Sequence, residues 1–495
     1  MTWWTTFLTQ LETVLKAVDD FIWGPFFLIP LLLGTGFVLT WRLRGVQFRK
    51  LGPALRLALI DRSDQGTDDK HGDISQYQAL TTALAATVGT GNIVGVATAL
   101  SIGGPGSLFW MWVTGLAGMA SKYSEAFLAV RFRHRDARGD ITGGPQYYLR
   151  DGIKGRVGGF LAIFFSIAAV LASFGIGNGT QANSIAGNVE HSFGLPGWVT
   201  GIILTVVTMA VLVGGIKTIG KVTASFVPIM IALYVACALT ILAINITKIP
   251  QTFVYIFSEA FTPTAATGGF LGATIILTIQ MGCARGIFSN ESGMGSAAIA
   301  AAAARTTHPT RQGLVSMTQT FIDTIVVVTM TGLVLILTGV WTGGKATAST
   351  MTGRAFDAGL GVTWGHYIVT TALIMFAYST ILGWCYYGER NIERLFGRVW
   401  VMPYRVVFSL AIFVGCVTSL DLAWTFSDIA NGLMATPNLI GLIALSGLIA
   451  RETGHYLSHD PKLRATKAQV DDFMDGLPGA IDAHWRSIQG TTKHR

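Results

Sequence analysis

The sequence predicts an all-α polytopic membrane protein with eleven transmembrane helices. Ten form a 5+5 inverted repeat whose first and sixth helices are broken, and one N-terminal span is extra. Three observations predict this. The 495 residues are 51% hydrophobic and only 13% charged, about half the charge density of a soluble protein. Many apolar segments approach the ~20 residues that cross ~30 Å of hydrocarbon. Two of these segments carry Gly, Asn and Ser clusters at corresponding places in the two halves.

Residues 1–20, "MTWWTTFLTQLETVLKAVDD", read as an amphipathic helix at the membrane surface, anchored by Trp3 and Trp4. They show no basic n-region or cleavage site, so no signal peptide is expected. Residues 21–76 hold the extra span, near 22–41, and a basic loop. A first five-helix repeat over 77–246 has spans near 77–101, 107–130, 158–186, 198–216 and 222–246. The second repeat, over 247–450, has spans near 268–304, 314–340, 365–386, 404–420 and 427–450. The 158–186 helix is expected to outrun the bilayer, and 268–304 is too long for one straight crossing. A mixed-charge tail of unreadable role fills 451–495.

The charges orient these spans. Basic residues crowd one side: Arg42, Arg44, Arg49, Lys50, Arg56, Arg62 and Lys70 in the first loop, and Arg131, Arg133, Arg135, Arg138, Arg150, Lys154 and Arg156 after the third span. Lys217, Lys221, Arg305, Arg311, Arg390, Arg394, Arg398 and Arg405 continue the series, against Lys16, Lys248, Lys345 and Arg354 opposite. The positive-inside rule puts the N-terminus outside and the C-terminus in the cytoplasm of a plasma membrane, a bacterial inner membrane by expectation. The net charge of +8 is therefore a matter of orientation, and no nucleic-acid partner is expected. Cys237, Cys283, Cys385 and Cys416 lack paired spacing and read as buried thiols. "HRDARGD" (134–140) looks like a kinase catalytic loop but lacks the following Asn and any phosphate loop.

Ionisable groups inside spans are costly and usually have partners. Lys122 and Glu125, three apart, are expected to neutralise each other near the membrane edge. Arg285 and Glu291 are expected to form a structural pair or a gate; Asp323 is read as a helix–helix hydrogen bond or a cation ligand.

The segment "TVGTGNIVGVATAL" (87–100) places Gly89, Thr90, Gly91 and Asn92 inside an apolar helix. Glycine there costs about 1 kcal/mol against alanine, and asparagine prefers turns and caps. A break would free carbonyls on one half-helix and amides on the other, a site for a cation together with a carboxylate. The bland alternative is packing, since Gly91 and Gly95 form a small-xxx-small pair. "MGCARGIFSNESGMGSAAIAAAAA" (281–304) repeats the interruption around Ser289, Asn290 and Glu291. Paired broken helices point to an inverted-repeat transporter with its site near the midplane.

In "FAYSTILGW" (376–384), Ser379 and Thr380 either bond their own i−4 carbonyls or, beside carbonyls near Ala85 and Val88, form a hard-cation site. Trp384 either walls a pocket or faces lipid. Gln181 either reaches a ligand or, like Asn183, bonds a neighbouring helix.

These motifs, with "GGPGSLFWMWVTGLAGMASKYSEAFLAVRFR" (103–133), "GGPQYYL" (143–149) and "YSTILGWCYYGER" (378–390), resemble those of the alanine or glycine:cation symporter family over about 75–395. The resemblance implies a leucine-transporter-like fold and import of a small neutral amino acid with Na⁺, or sometimes H⁺. It implies that Thr87, Gly89, Thr90, Gly91 and Asn92 hold the amino acid's backbone groups, with Gln181, Gly286, Ile287, Phe288, Ser289 and Thr380. It further implies sodium at Ala85, Val88, Ser379 and Thr380, with Trp384 capping the side-chain pocket. No cofactor beyond the coupling Na⁺ is expected, and the chain is not expected to be an enzyme. The expected partners are a small neutral amino acid, alanine or glycine first, together with sodium and the lipid bilayer. A proton-coupled carrier is the near rival, and a channel or a membrane enzyme the more distant ones.

Overall fold

The computed structural model describes residues 3–62, 72–136, 139–212, 215–261 and 275–475. Lys70, Arg138, the 268–274 start of the interrupted segment, the tail beyond 475, and the side chains of Trp3, Trp4, Lys217 and Lys221 lie outside this description.

The described chain is almost entirely helical, apart from one two-stranded ribbon, His134–Arg135 against Ile141–Thr142. Among the described residues, six helices are long and apolar enough to cross a membrane, and one further pair qualifies as a broken span. Their surfaces have the polarity of a lipid-facing bundle. On the Arg156–Phe174 helix, Val157, Phe160, Ile163, Ile167 and Leu171 are exposed along one face, while Ser166 and Ser173 are buried. In water this pattern would be an aggregation hazard; in hydrocarbon it is the stable arrangement.

Helices occur where the apolar segments predict them. The N-terminal helix Trp3–Ile22 is followed by Leu28–Arg42, which ends at a tight turn with positive φ at Arg44 and Gly45. The 158–186 segment does outrun its expected bounds: helix continues from Arg156 to Phe193 through a widened π turn at Gly175–Gly179. Helices that were not foreseen include Ile249–Phe261 and Ala348–Leu360, each 13 residues and too short to span.

Helix Gly106–Arg131 is the central strut, packed on Pro309–Thr320, Ile275–Asn290 and Leu28–Arg42. Gly365–Phe396 lies against Gln76–Thr87, with Gly383 allowing backbone contact: a Cβ there would sit 2.8 Å from that of Ala86. The last long helix, Leu420–His459, packs along Arg156–Phe174. Its end is tied down by Arg311, which donates to Tyr456 at 2.7 Å and Asp460 at 2.9 Å, and helix Lys467–Asp475 folds back with Val470 and Met474 buried.

Candidate functional site

The first break begins where Gln76–Thr87 stops and Val88 turns extended (φ −74°, ψ 91°). A π turn at Gly91–Gly95 and a short helix, Val96–Gly103, carry the chain on at 52° to the first half. Side chains replace the lost ladder. The Gly89 N–H, whose helical partner would be the Ala85 carbonyl, donates instead to Asn92 Oδ1 at 3.0 Å. The Thr90 N–H donates to Gln181 Oε1 at 3.0 Å. Gln181 is itself fixed by its amide on the Ile176 carbonyl, 2.8 Å, within the π turn. The Ala85 carbonyl, deprived of its amide, accepts from Ser379 Oγ at 3.1 Å and Thr380 Oγ1 at 3.0 Å.

Both hydroxyls also approach the Phe376 carbonyl of their own helix, at 2.8 and 3.1 Å, so the local and the interhelical bonds coexist. Val88 is fully buried at the adjoining turn. Thr87 behaves differently: its hydroxyl turns back to the Ala83 carbonyl, 2.9 Å, and accepts from Gln319, 3.1 Å.

The second break follows Ile275–Asn290, where Glu291, Gly293 and Gly295 have φ of +55°, +89° and +82°. It therefore starts later than the glycine spacing suggests. Gly282 and Gly286 lie in regular helix, where a Cβ would collide with Ser107 and Thr114; their job is close packing on Gly106–Arg131. Gly286, Ile287, Phe288 and Ser289 thus form the last helical turn before the break. The two breaks touch, since a Cβ on Gly91 would lie 2.9 Å from Ser289 Cα. The packing role of Gly91 and its place in the break are one arrangement.

The expected Lys122–Glu125 pair forms, but the two do not serve each other alone. Both are buried, 3.8 Å apart, and complete the second break. Lys122 donates to the Glu291 carbonyl at 2.9 Å, and Glu125 accepts the Gly295 N–H at 2.9 Å and the Asn438 amide at 2.8 Å. A cation on the carbonyl end and an anion at freed amides match the polarity of the two helix ends. Nor does Arg285 pair with Glu291. Arg285 meets Asp428, stacks over Trp424 at 4.3 Å, and lies beneath the N-terminal helix. Glu291 instead accepts from Trp384 Nε1 at 2.7 Å and Ser296 Oγ at 2.5 Å. Trp384 is fully buried against Gly177 and Tyr387, which excludes a lipid-facing position.

Asp323 joins the two breaks. Its Oδ1 accepts from Asn92 at 2.7 Å, and its Oδ2 from Ser289 and Thr324, each at 2.9 Å. Asn183 is purely interhelical, bonding the Thr418 carbonyl at 2.5 Å. Sequence reasoning missed Asp428, Asn438 and Gln319. Asp428 is the one ionisable residue of the last span, 427–450, and Asn438 one of its two asparagines, and that was the available signal. Thr90, Asn92, Ser289, Asp323 and Thr380 are all buried, and Phe288 packs on Trp424 beside the break, its ring approaching Gly91.

A lipid-facing helical bundle with two interrupted helices in contact, bridged by buried polar side chains, belongs to the membrane transporters rather than to enzymes. The family can be stated as well. The sodium:alanine symporter family matches residues 8–470, and the chain belongs to that family. It is 49% identical over 447 residues to an uncharacterised transporter of Haemophilus influenzae, covering 90% of this chain and 96% of that one. It is also 49% identical over 449 residues to the sodium/alanine symporter AgcS of Methanococcus maripaludis, with coverages of 89% and 96%. In fold it resembles MhsT, crystallised with L-phenylalanine: TM-score 0.52 and 14% identity over 85% of this chain and 95% of that one. That likeness bears out the leucine-transporter-like fold.

Proposed function

We propose that this protein imports small neutral amino acids, alanine and glycine, coupled to sodium by alternating access. The observation that carries the reading is the first break. It gathers the released Ala85 carbonyl and two hydroxyls on one side, and amides held by replaceable side-chain acceptors on the other. The Ala85 and Val88 carbonyls with Ser379 and Thr380 are neutral oxygens, a donor set suited to a monovalent hard cation. The substrate carboxylate takes the amides of Gly89 to Asn92, with Asn92 and Gln181 yielding or sharing them. The ammonium meets carbonyls that the second break releases beside Ser289; the Ser292 N–H, for instance, goes to Asn290 Oδ1 rather than up the helix.

Trp384, Ile287 and Phe288 present apolar surface to the substrate's own side chain, and the nearby Glu291 and Asp323 carboxyl groups are already engaged by Trp384, Asn92 and Ser289, which favours a small neutral one. Charge balance also supports a coupling cation. The network buries the carboxyl groups of Glu125, Glu291 and Asp323 around the single ammonium of Lys122. Sodium at the first break stabilises the unwound shape that the amino acid needs, so each ligand tightens the other.

The reading includes eleven spans, an extra helix ahead of inverted repeats over 77–246 and 247–450, and an N-out, C-in orientation in a bacterial inner membrane. The relationship to AgcS supports the substrate and the ion. The test is uptake of radiolabelled alanine and glycine into proteoliposomes. Uphill accumulation that requires an inward sodium gradient is expected. Sodium-independent uptake that follows a proton gradient would reject the coupling, and absence of uptake of either amino acid would reject the substrate class.

A further inference from the structure

The end of the bundle that carries the arginine-rich loops contains a cavity of about 620 Å³ lined by Arg42, Arg44, Arg49, Lys50 and Arg451. The fold assembles it from chain ends far apart in sequence. Arg42 closes the Leu28–Arg42 helix, the positive-φ turn at Arg44 and Gly45 brings Arg49 and Lys50 back, and Arg451 faces them from the Leu420–His459 helix. Gly447 leaves room for the Arg42 guanidinium, 3.4 Å from where a Cβ would stand. No carboxylate lines the cavity, and none of the five cations makes an ion pair among the described residues. Arg49 and Lys50 are directed to backbone carbonyls, of Arg44 at 3.4 Å and Pro461 at 2.9 Å.

Several other arginines at this end have a carboxylate partner. Arg131 has Glu452, Arg150 has Asp151, Arg311 has Asp460, and Arg405 has Glu389. Five convergent cations without a direct ion pair repel one another, and their convergence is accounted for by an anion. The surroundings indicate which kind. Leu43 and Leu457 form an apolar wall. Next to Arg42, Trp41 is 78% exposed, and Phe37 and Val38 continue its apolar face along the same helix. An exposed Trp at a helix end marks headgroup depth. The volume lies within the range of small-ligand pockets.

We propose that this cavity binds the phosphate headgroup of an anionic phospholipid, with its acyl chains lying along Phe37, Val38 and Trp41. The phosphate sits among Arg42, Arg44 and Arg451, three exposed residues that line the cavity. So held, the lipid ties the first span to the last.

The test is native mass spectrometry of the purified full chain, titrated with phosphatidylglycerol or phosphatidylcholine. Phosphatidylglycerol is expected to be retained in preference. Each neutralised cation should weaken retention about fivefold, so Arg42→Gln/Arg44→Gln/Arg451→Gln should lose on the order of a hundredfold. The corresponding triple Lys variant, which keeps the charge, should bind within a few-fold of the parent. Arg44→Gln alone, at an exposed turn, tests the same point without risk to folding and should lose about fivefold. Equal retention of the two lipids, or unchanged retention in Arg44→Gln, overturns the proposal. Displacement of phosphatidylglycerol by inorganic phosphate would make the occupant a soluble anion and overturn it equally.

Discussion

Replacing Asn92 by alanine tests the first break most directly. Asn92 is fully buried and works in two directions, accepting the Gly89 N–H at 3.0 Å and donating to Asp323 Oδ1 at 2.7 Å. Alanine leaves a buried amide and a buried carboxylate oxygen each short of a partner. A neutral bond contributes about 1 kcal/mol and one to a charged group about 2 kcal/mol, for a loss of about 3 kcal/mol. The Gly89 amide passes to the substrate carboxylate on binding, so only the Asp323 bond, about 2 kcal/mol, falls on affinity, a weakening of roughly 30-fold. Equilibrium binding of labelled alanine at saturating sodium reads it, beside thermal unfolding in detergent to confirm a folded protein. A folded Asn92→Ala variant with alanine affinity within twofold of the parent would refute the reasoning. The asparagine would then serve packing alone.

Removal of the Ser379 hydroxyl should raise the sodium concentration for half-maximal uptake about tenfold, and removal of both hydroxyls should abolish sodium stimulation. Sodium titrations of uptake check this. Lys122→Met strands Glu125 and the Glu291 carbonyl in the core and should destabilise by about 3–5 kcal/mol. Adding Glu125→Gln should recover part of that, read as thermal unfolding. Asp19, on the N-terminal helix, is pushed from 3.8 up to about 8 by burial and by the Asp428 carboxylate, with Asp20 adding and Arg285 opposing. A raised acid contributes docking energy in full below its unfolded value of 3.8 and loses it as pH rises towards about 8. Protection of residues 10–20 against hydrogen exchange, taken relative to the intrinsic rate at each pH, should therefore fall between about pH 5 and about pH 8. Asp19→Asn should flatten that dependence; an unchanged profile would show that Asp19 is not the group responsible.

Much of this protein is local physics and was legible as such. Apolar length and the scarcity of charge determine a helical membrane bundle, because backbone amides in hydrocarbon must be bonded within their own segment. Gly89–Asn92 announces a break because those residues forfeit helix stability wherever the helix lies. Ser379 and Thr380 stand out as paired hydroxyls in an apolar helix. The partners of the buried charges were not legible. Arg285 stands six residues from Glu291 yet reaches Asp428, and Lys122 and Glu125, read as a self-contained pair, close a break about 170 residues away. Asp323 joins Asn92 to Ser289 across three separate helices. Charge and hydrogen bonding act through space. Until helices distant in the chain are packed side by side, each such residue has several chemically equal partners, and the packing of small residues such as Gly91 and Gly383 selects among them.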